Sequence, residues 1–158
     1  MAETIKIDGL RELKNALLKL PEKLGEKVLN GALYAGAKLV VDDAKVKVPV
    51  RTGELRRNIR ARRATKKQRG DLTAAVVVGV RRLTKKQIAS IRKKKGRENA
   101  SDAFYWRFLE FGTSKMAARP FLRPAFESRK TAAALLIKDE IRKRIEKEAK
   151  LLGKRLFI

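Results

Sequence analysis

Residues 105–124, YWRFLEFGTSKMAARPFLRP, restrict the possible folds more than any other part of the chain. They hold the only Trp, and with Phe104 they include four of the six Phe, so most of the large aromatic area lies in one short segment. Aromatic side chains bury large areas, and such a cluster anchors a core or an interface. The apolar run over residues 104–111 reads as a strand or a short helix-to-strand element. Gly112 stops it and marks a turn or a close backbone approach. Pro120 and Pro124 bracket Phe121-Leu-Arg123 and push the residue before each toward extended backbone. Pro124 is placed to open a long helix in its first turn. Phe111 and Phe121 are therefore expected to be buried anchors. Glu110, the one acid of the segment, is expected in a structural ion pair with Arg119 or Arg123.

The elements around this segment follow from periodicity. Thr4-Ile-Lys-Ile7 is a short strand candidate. Asp8 suits a helix N-cap, with Leu10, Leu13 and Leu17 on one face. Pro21 separates that helix from the next. Over residues 22–47 the apolar Leu24, Val28, Ala32, Ala35 and Leu39 recur at helical spacing, which predicts an amphipathic helix about 39 Å long. Its small residues around Gly31 and Gly36 permit close backbone approach, either within the monomer or to another surface. Pro49 ends it. Val50-Arg-Thr-Gly-Glu-Leu55 reads as a turn into a short helix. Either Arg51 and Thr52 are functional contacts, or Thr52 caps the turn and Gly53 supplies the backbone geometry.

Residues 59–64 and 72–80 read as two strands of a hairpin. In the second, Leu72, Ala74, Val76, Val78 and Val80 fall on one face. Thr84 starts a helix over residues 85–95, with Gly96 as its C-cap. A final helix over residues 124–152 carries Ile137, Ile141 and Ile145 on one face. Asp139–Lys143, Glu140–Arg144 and Glu146–Lys150 are acid-before-base pairs across one turn. The expected architecture is α+β: a small, mainly antiparallel sheet packed against the long 22–47 helix, with the long C-terminal helix beside them. Residues 1–158 are expected to form a single domain with a basic insert at 81–103.

Charge narrows the partners. The 41 Lys and Arg outnumber the 17 Asp and Glu, leaving +24 and implying a polyanionic or acidic neighbour. Arg60, Arg62, Arg63, Lys66 and Lys67, together with Lys93, Lys94 and Lys95, either face a polyanion or form solvated surface. The chain has no His and no Cys. The commonest general base and the thiolate ligands are therefore missing, and neither a phosphate loop nor a nucleophile triad is visible. We expect no catalytic residues, no metal, no cofactor and no enzyme activity. Met1-Ala-Glu-Thr lacks the start of a signal peptide. No apolar run approaches the roughly 20 residues of a membrane span, so no membrane partner is expected.

Glu110-Phe-Gly-Thr-Ser-Lys-Met116, followed by Ala118-Arg-Pro-Phe-Leu-Arg-Pro-Ala125, resembles the signature of phage neck or tail-completion proteins, a tail-component family of long-tailed phages and prophages. Val48-Pro-Val-Arg-Thr-Gly-Glu-Leu-Arg56 is similar to that family's other marker. The resemblance covers about residues 9–127 and is weakest in the basic insert. It implies a structural protein of the head-to-tail junction or tail end, a ring subunit that docks to neighbouring rings around the DNA channel. Partners would be copies of itself and other neck and tail proteins, with nonspecific DNA contact in the channel. Its place would be the virion, and the host cytoplasm during assembly. The positions that match the family's motifs are Pro49, Arg51, Thr52, Gly53 and Leu55 in the first marker, and Glu110, Phe111, Gly112, Thr113, Arg119, Pro120, Phe121, Arg123 and Pro124 in the second. The competing reading is a sequence-nonspecific nucleic-acid-binding module. The charge favours it, but the aromatics do not interleave with the basic runs.

Overall fold

The computed structural model describes residues 8–18, 20, 22–70, 72–96 and 102–155. The Thr4–Ile7 strand candidate lies outside them. In chain order the elements are α1 (Leu10–Leu18), α2 (Glu22–Lys47), α3 (Glu54–Asn58), β1 (Ile59–Arg63), α4 (Lys66–Arg69), β2 (Val76–Val80), α5 (Lys85–Lys95), α6 (Trp106–Phe111) and α7 (Leu122–Arg155). The class is α+β: a two-stranded antiparallel sheet with long helices in each half of the chain. The chain divides into two compact units. The first is Met1–Leu39, Arg62–Val77 and Lys130–Ile158; the second is Val40–Ala61 and Val78–Arg129.

In the first unit α2 and α7 run antiparallel. Lys27 of α2 pairs with Glu148 of α7 at 3.1 Å, and Gly36 lies against Ile137 further along both helices. A methyl group at Gly36 would collide with the Ile137 side chain and stand 3.0 Å from the Ala133 carbonyl oxygen. The small residues of α2 thus serve packing inside the chain. Of the three pairs expected along α7, Glu140–Arg144 forms at 3.1 Å, while Glu146 pairs backward with Arg142 at 3.5 Å. The start of α1 differs from expectation. The Leu13 N–H donates to the Gly9 carbonyl, so Gly9, at φ 80°, holds the cap position and Asp8 precedes it.

The hairpin has the expected order but shorter strands. Antiparallel register is fixed by Ala64 N–H donating to the Ala75 carbonyl at one end and Arg81 N–H to the Asn58 carbonyl at the other. β2 begins at Val76 rather than Leu72, and Leu72 is exposed. All five β2 residues are half-buried, so the strand has partial cover on both faces instead of one buried face. The connection contains α4, whose Thr65 backbone N–H donates to the Gln68 side chain, a local closure that suits a helix start.

The core of the second unit gathers Val40, Val41 and Ala44 from α2, Val48 just after it, Leu55 and Ile59 after the turn, Phe121 just before α7 and Ala125 in its first turn. Thr84 caps α5 by accepting from the Gln87 N–H, with Gly96 at the far end, as expected. The 104–111 run is not a strand. It is the one-and-a-half-turn helix α6. α7 begins at Leu122, so Pro124 sits inside its first turn, where a missing N–H costs little.

Candidate functional site

The two motif stretches lie far apart in the chain but converge in the second unit. The first is a turn into α3. Gly53 caps it in the left-handed region at φ 73°, and no side chain caps the helix. Thr52 therefore does not have the capping role expected of it; instead its carbonyl accepts a bond from the Arg57 guanidinium at 3.4 Å. Glu54 is only 1% exposed and is held by the same guanidinium at 3.1 Å. Asn58, at the end of α3, donates to the Glu54 carbonyl one turn earlier at 2.8 Å. These bonds leave Arg51 and Thr52 on the exposed side and Leu55 in the core.

The second stretch is built around Glu110. Its carboxylate accepts the backbone N–H groups of Phe121, Leu122 and Arg123 at 2.9, 3.0 and 2.9 Å. The first N–H groups of a helix have no partner within it, and a negative charge there also meets the positive end of the helix dipole. Glu110 is thus a cap supplied by α6 to α7, not the side-chain ion pair with Arg119 or Arg123 that its neighbours suggested. Between the two helices the chain doubles back. Gly112 has φ 74°, and a Cβ there would stand 2.9 Å from the Met116 carbonyl oxygen. Thr113 and Met116 exchange backbone bonds at 2.9 and 3.2 Å, and the Arg119 N–H returns to the Leu109 carbonyl at 2.7 Å. Gly112 and Thr113 are thus turn residues, and Pro120 leads into the cap.

Phe121 is fully buried, as expected of an anchor. Phe111 is not: it is 67% exposed. As α6 is a helix rather than a strand, the residues it turns inward are Leu109 and Glu110, and Phe108 and Phe111 turn out.

Where the stretches meet lies a groove of about 690 Å³ lined by Pro49, Val50, Arg51, Thr52, Gly53 and Leu55 on one side and Tyr105, Leu109, Met116 and Arg119 on the other. Pro120, Arg123 and Pro124 do not line it. Tyr105, Leu109 and Met116 were not singled out as site residues in the sequence. Only the one-turn spacing of Tyr105 and Leu109 hinted that they share a face. Arg51 and Arg119 are exposed, and among the described residues neither guanidinium has an acidic partner.

Close by in the same unit, Asp43 of α2 accepts bonds from Lys47, from the Ser128 hydroxyl at 2.9 Å and from Arg129 at 3.2 Å. These donors, Lys47 first, hold its carboxyl down at about 2 from the ordinary 3.8. The expected polyanion-facing residues lie on three elements. Arg60, Arg62 and Arg63 are on β1, Lys66 and Lys67 on α4, and Lys93 and Lys94 on α5, all exposed; the Lys95 side chain is outside the description. No group of acids that could hold a metal occurs among the described residues, and no described helix is long and apolar enough to cross a membrane.

A model of the bacteriophage HK97-gp10-like tail-component family matches residues 11–112 of the chain. The chain belongs to this family. The match takes in the whole first stretch and α6, runs through the basic insert, and ends at Gly112, before the doubled-back turn and the capped start of α7. No curated protein and no solved structure matches the chain. Membership in the HK97-gp10-like family makes it a structural component of a phage tail, and therefore a virion protein that contacts other phage proteins.

Proposed function

We propose that this tail component is a ring-forming subunit of the head-to-tail junction or tail end, assembled in the host cytoplasm and docked to neighbouring rings around the channel that DNA crosses. The observation that carries the reading is the outer side of α6. Phe104, Phe108 and Phe111 are 56%, 48% and 67% exposed, and Phe108 and Phe111 share one helix face. Clustered aromatic area of this kind marks an interaction surface rather than ordinary solvent-facing surface. A contact between this face and a different face of the next copy is head-to-tail, and repeated head-to-tail contacts generate a ring where the rotation between copies closes. The exposed Arg62, Arg63, Lys66, Lys67, Lys93 and Lys94 then line or approach the channel, where they offset phosphate charge.

Light scattering over a range of protein concentration and salt tests this. Copies carrying +24 repel one another, and added salt screens that repulsion, so the mass should rise with salt toward one defined multiple of the subunit. Phe108→Ser with Phe111→Ser should abolish the rise. A chain that stays monomeric at high salt and is missing from purified particles would refute the ring reading.

The same exposed cations favour a second reading, a sequence-nonspecific nucleic-acid-binding module that acts without assembly. It requires DNA binding by the monomer and no defined oligomer.

A further inference from the structure

We infer that the groove between residues 49–55 and α6 receives an extended segment of a neighbouring particle protein in which carboxylates stand beside an aliphatic side chain. The inference rests on the proposed docking role and names the chemistry of the partner. Its basis is an imbalance of charge. Both motif stretches contain a base and an acid, but the acids point inward: Glu54 is 1% exposed and bound to Arg57, and Glu110 is 8% exposed and spends its oxygens on the α7 cap. The bases point outward. Arg51 and Arg119 line the groove with no acidic partner among the described residues. Two planar guanidinium groups beside an apolar floor of Val50, Leu55, Leu109 and Met116 complement carboxylates flanking an aliphatic residue. The volume of about 690 Å³ lies within the range of groove and pocket sites, which suits a short stretch of chain.

The groove is also preformed. Arg119 is tied by its backbone to Leu109, and the turn before α3 is held by Arg57, whose guanidinium donates to the Thr52 carbonyl and whose backbone N–H donates to the Gly53 carbonyl, so little ordering remains to be done on binding. A second copy is a poor occupant, since 41 basic against 17 acidic residues make it a strongly cationic partner for a groove that itself presents cations. DNA phosphate would engage the guanidinium groups but leave the apolar floor unused.

The test uses fluorescence anisotropy of the full chain in about 0.15 M salt, where charges more than about 8 Å apart are largely screened. The probes are a labelled peptide alternating Asp and Leu, the same peptide with Ser at every Leu, and a duplex DNA of equal charge. The Asp/Leu peptide should bind at least about tenfold more tightly than the Asp/Ser peptide, because only the former fills the floor. Arg51→Gln with Arg119→Gln should weaken the Asp/Leu peptide about tenfold or more at unchanged melting temperature, whereas Lys93→Gln with Lys94→Gln should leave it within about twofold. Equal binding of the two peptides, full competition by the duplex, or indifference to the Arg51 and Arg119 substitutions overturns the inference. So does loss of self-association alone in that double variant, which would make the occupant a second copy. A chain that enters particles but shows no peptide preference sinks this inference and leaves the tail assignment intact. A chain that prefers the Asp/Leu peptide but never forms a ring upholds this inference and refutes the ring reading alone.

Discussion

Phe121 has no exposed surface, whereas Phe111, ten residues earlier, keeps 67% of its own. Truncating a buried Phe removes its transfer energy and leaves a cavity, so Phe121→Ala should cost about 3–5 kcal/mol. Phe111→Ala should leave the melting temperature of the isolated chain nearly unchanged, because the ring is already in water. Thermal unfolding of the pair checks this, and equal losses would show that the Phe111 ring is packed in the folded chain. At Asp43 the prediction concerns pH. Its carboxyl is held at about 2 in the folded chain, below the ordinary 3.8, by Lys47, Ser128 and Arg129. A depressed folded value means that the stabilising contribution is fully present above 3.8 and is lost as pH falls through about 2. Asp43→Asn should therefore flatten the fall in stability across that window, as read by acid titration of the unfolding midpoint. An unchanged acid limb would mean that the Lys47, Ser128 and Arg129 contacts do not hold the carboxylate in solution.

Among the elements, α2 and α6 show why one helix was legible in the sequence and the other was not. In α2, Val28 and Ala32 are apolar and buried, so hydrophobic period and burial agree, and both ends were readable. In α6 they disagree. Glu110 is inside because it caps another helix, and Phe108 and Phe111 are outside. A pattern of apolar residues cannot distinguish rings destined for a core from rings left on a surface, and the tight aromatic run imitated a strand. The same limit applies to the groove. Residues 49–55 were readable as a turn, but their meeting with Tyr105, Leu109 and Met116 is a tertiary fact with no local signal. The close approach of α2 and α7 offers a sharp check. Leu favours helix over Gly by roughly 1 kcal/mol, yet at Gly36 any side chain meets Ile137 and the Ala133 carbonyl. Overpacking should outweigh propensity, so Gly36→Leu should lower stability by about 1–3 kcal/mol in denaturant titration. A gain in stability would mean the two helices stand further apart.

At the scale of the whole molecule, the charge of +24 sets the conditions under which any assembly is seen. Binding to duplex DNA should fall steeply with salt, with a log–log slope of about 0.9 per neutralised phosphate, and should not depend on sequence. Replacing Lys93 and Lys94 with Gln should flatten that slope while leaving the melting temperature almost unchanged, since exposed charges contribute little to folding. An unaltered slope would assign that block to solvent alone, and strong preference for one DNA sequence would favour the nucleic-acid module. The division of the chain into two compact units has a different consequence. Every passage between them falls inside a regular element: α2 after Leu39, β1 after Ala61, β2 after Val77 and α7 after Arg129. Neither unit could therefore be exchanged as a cassette without severing hydrogen-bonded backbone. Exchange between related tails would have to move the whole chain, or act at the loops that border the groove.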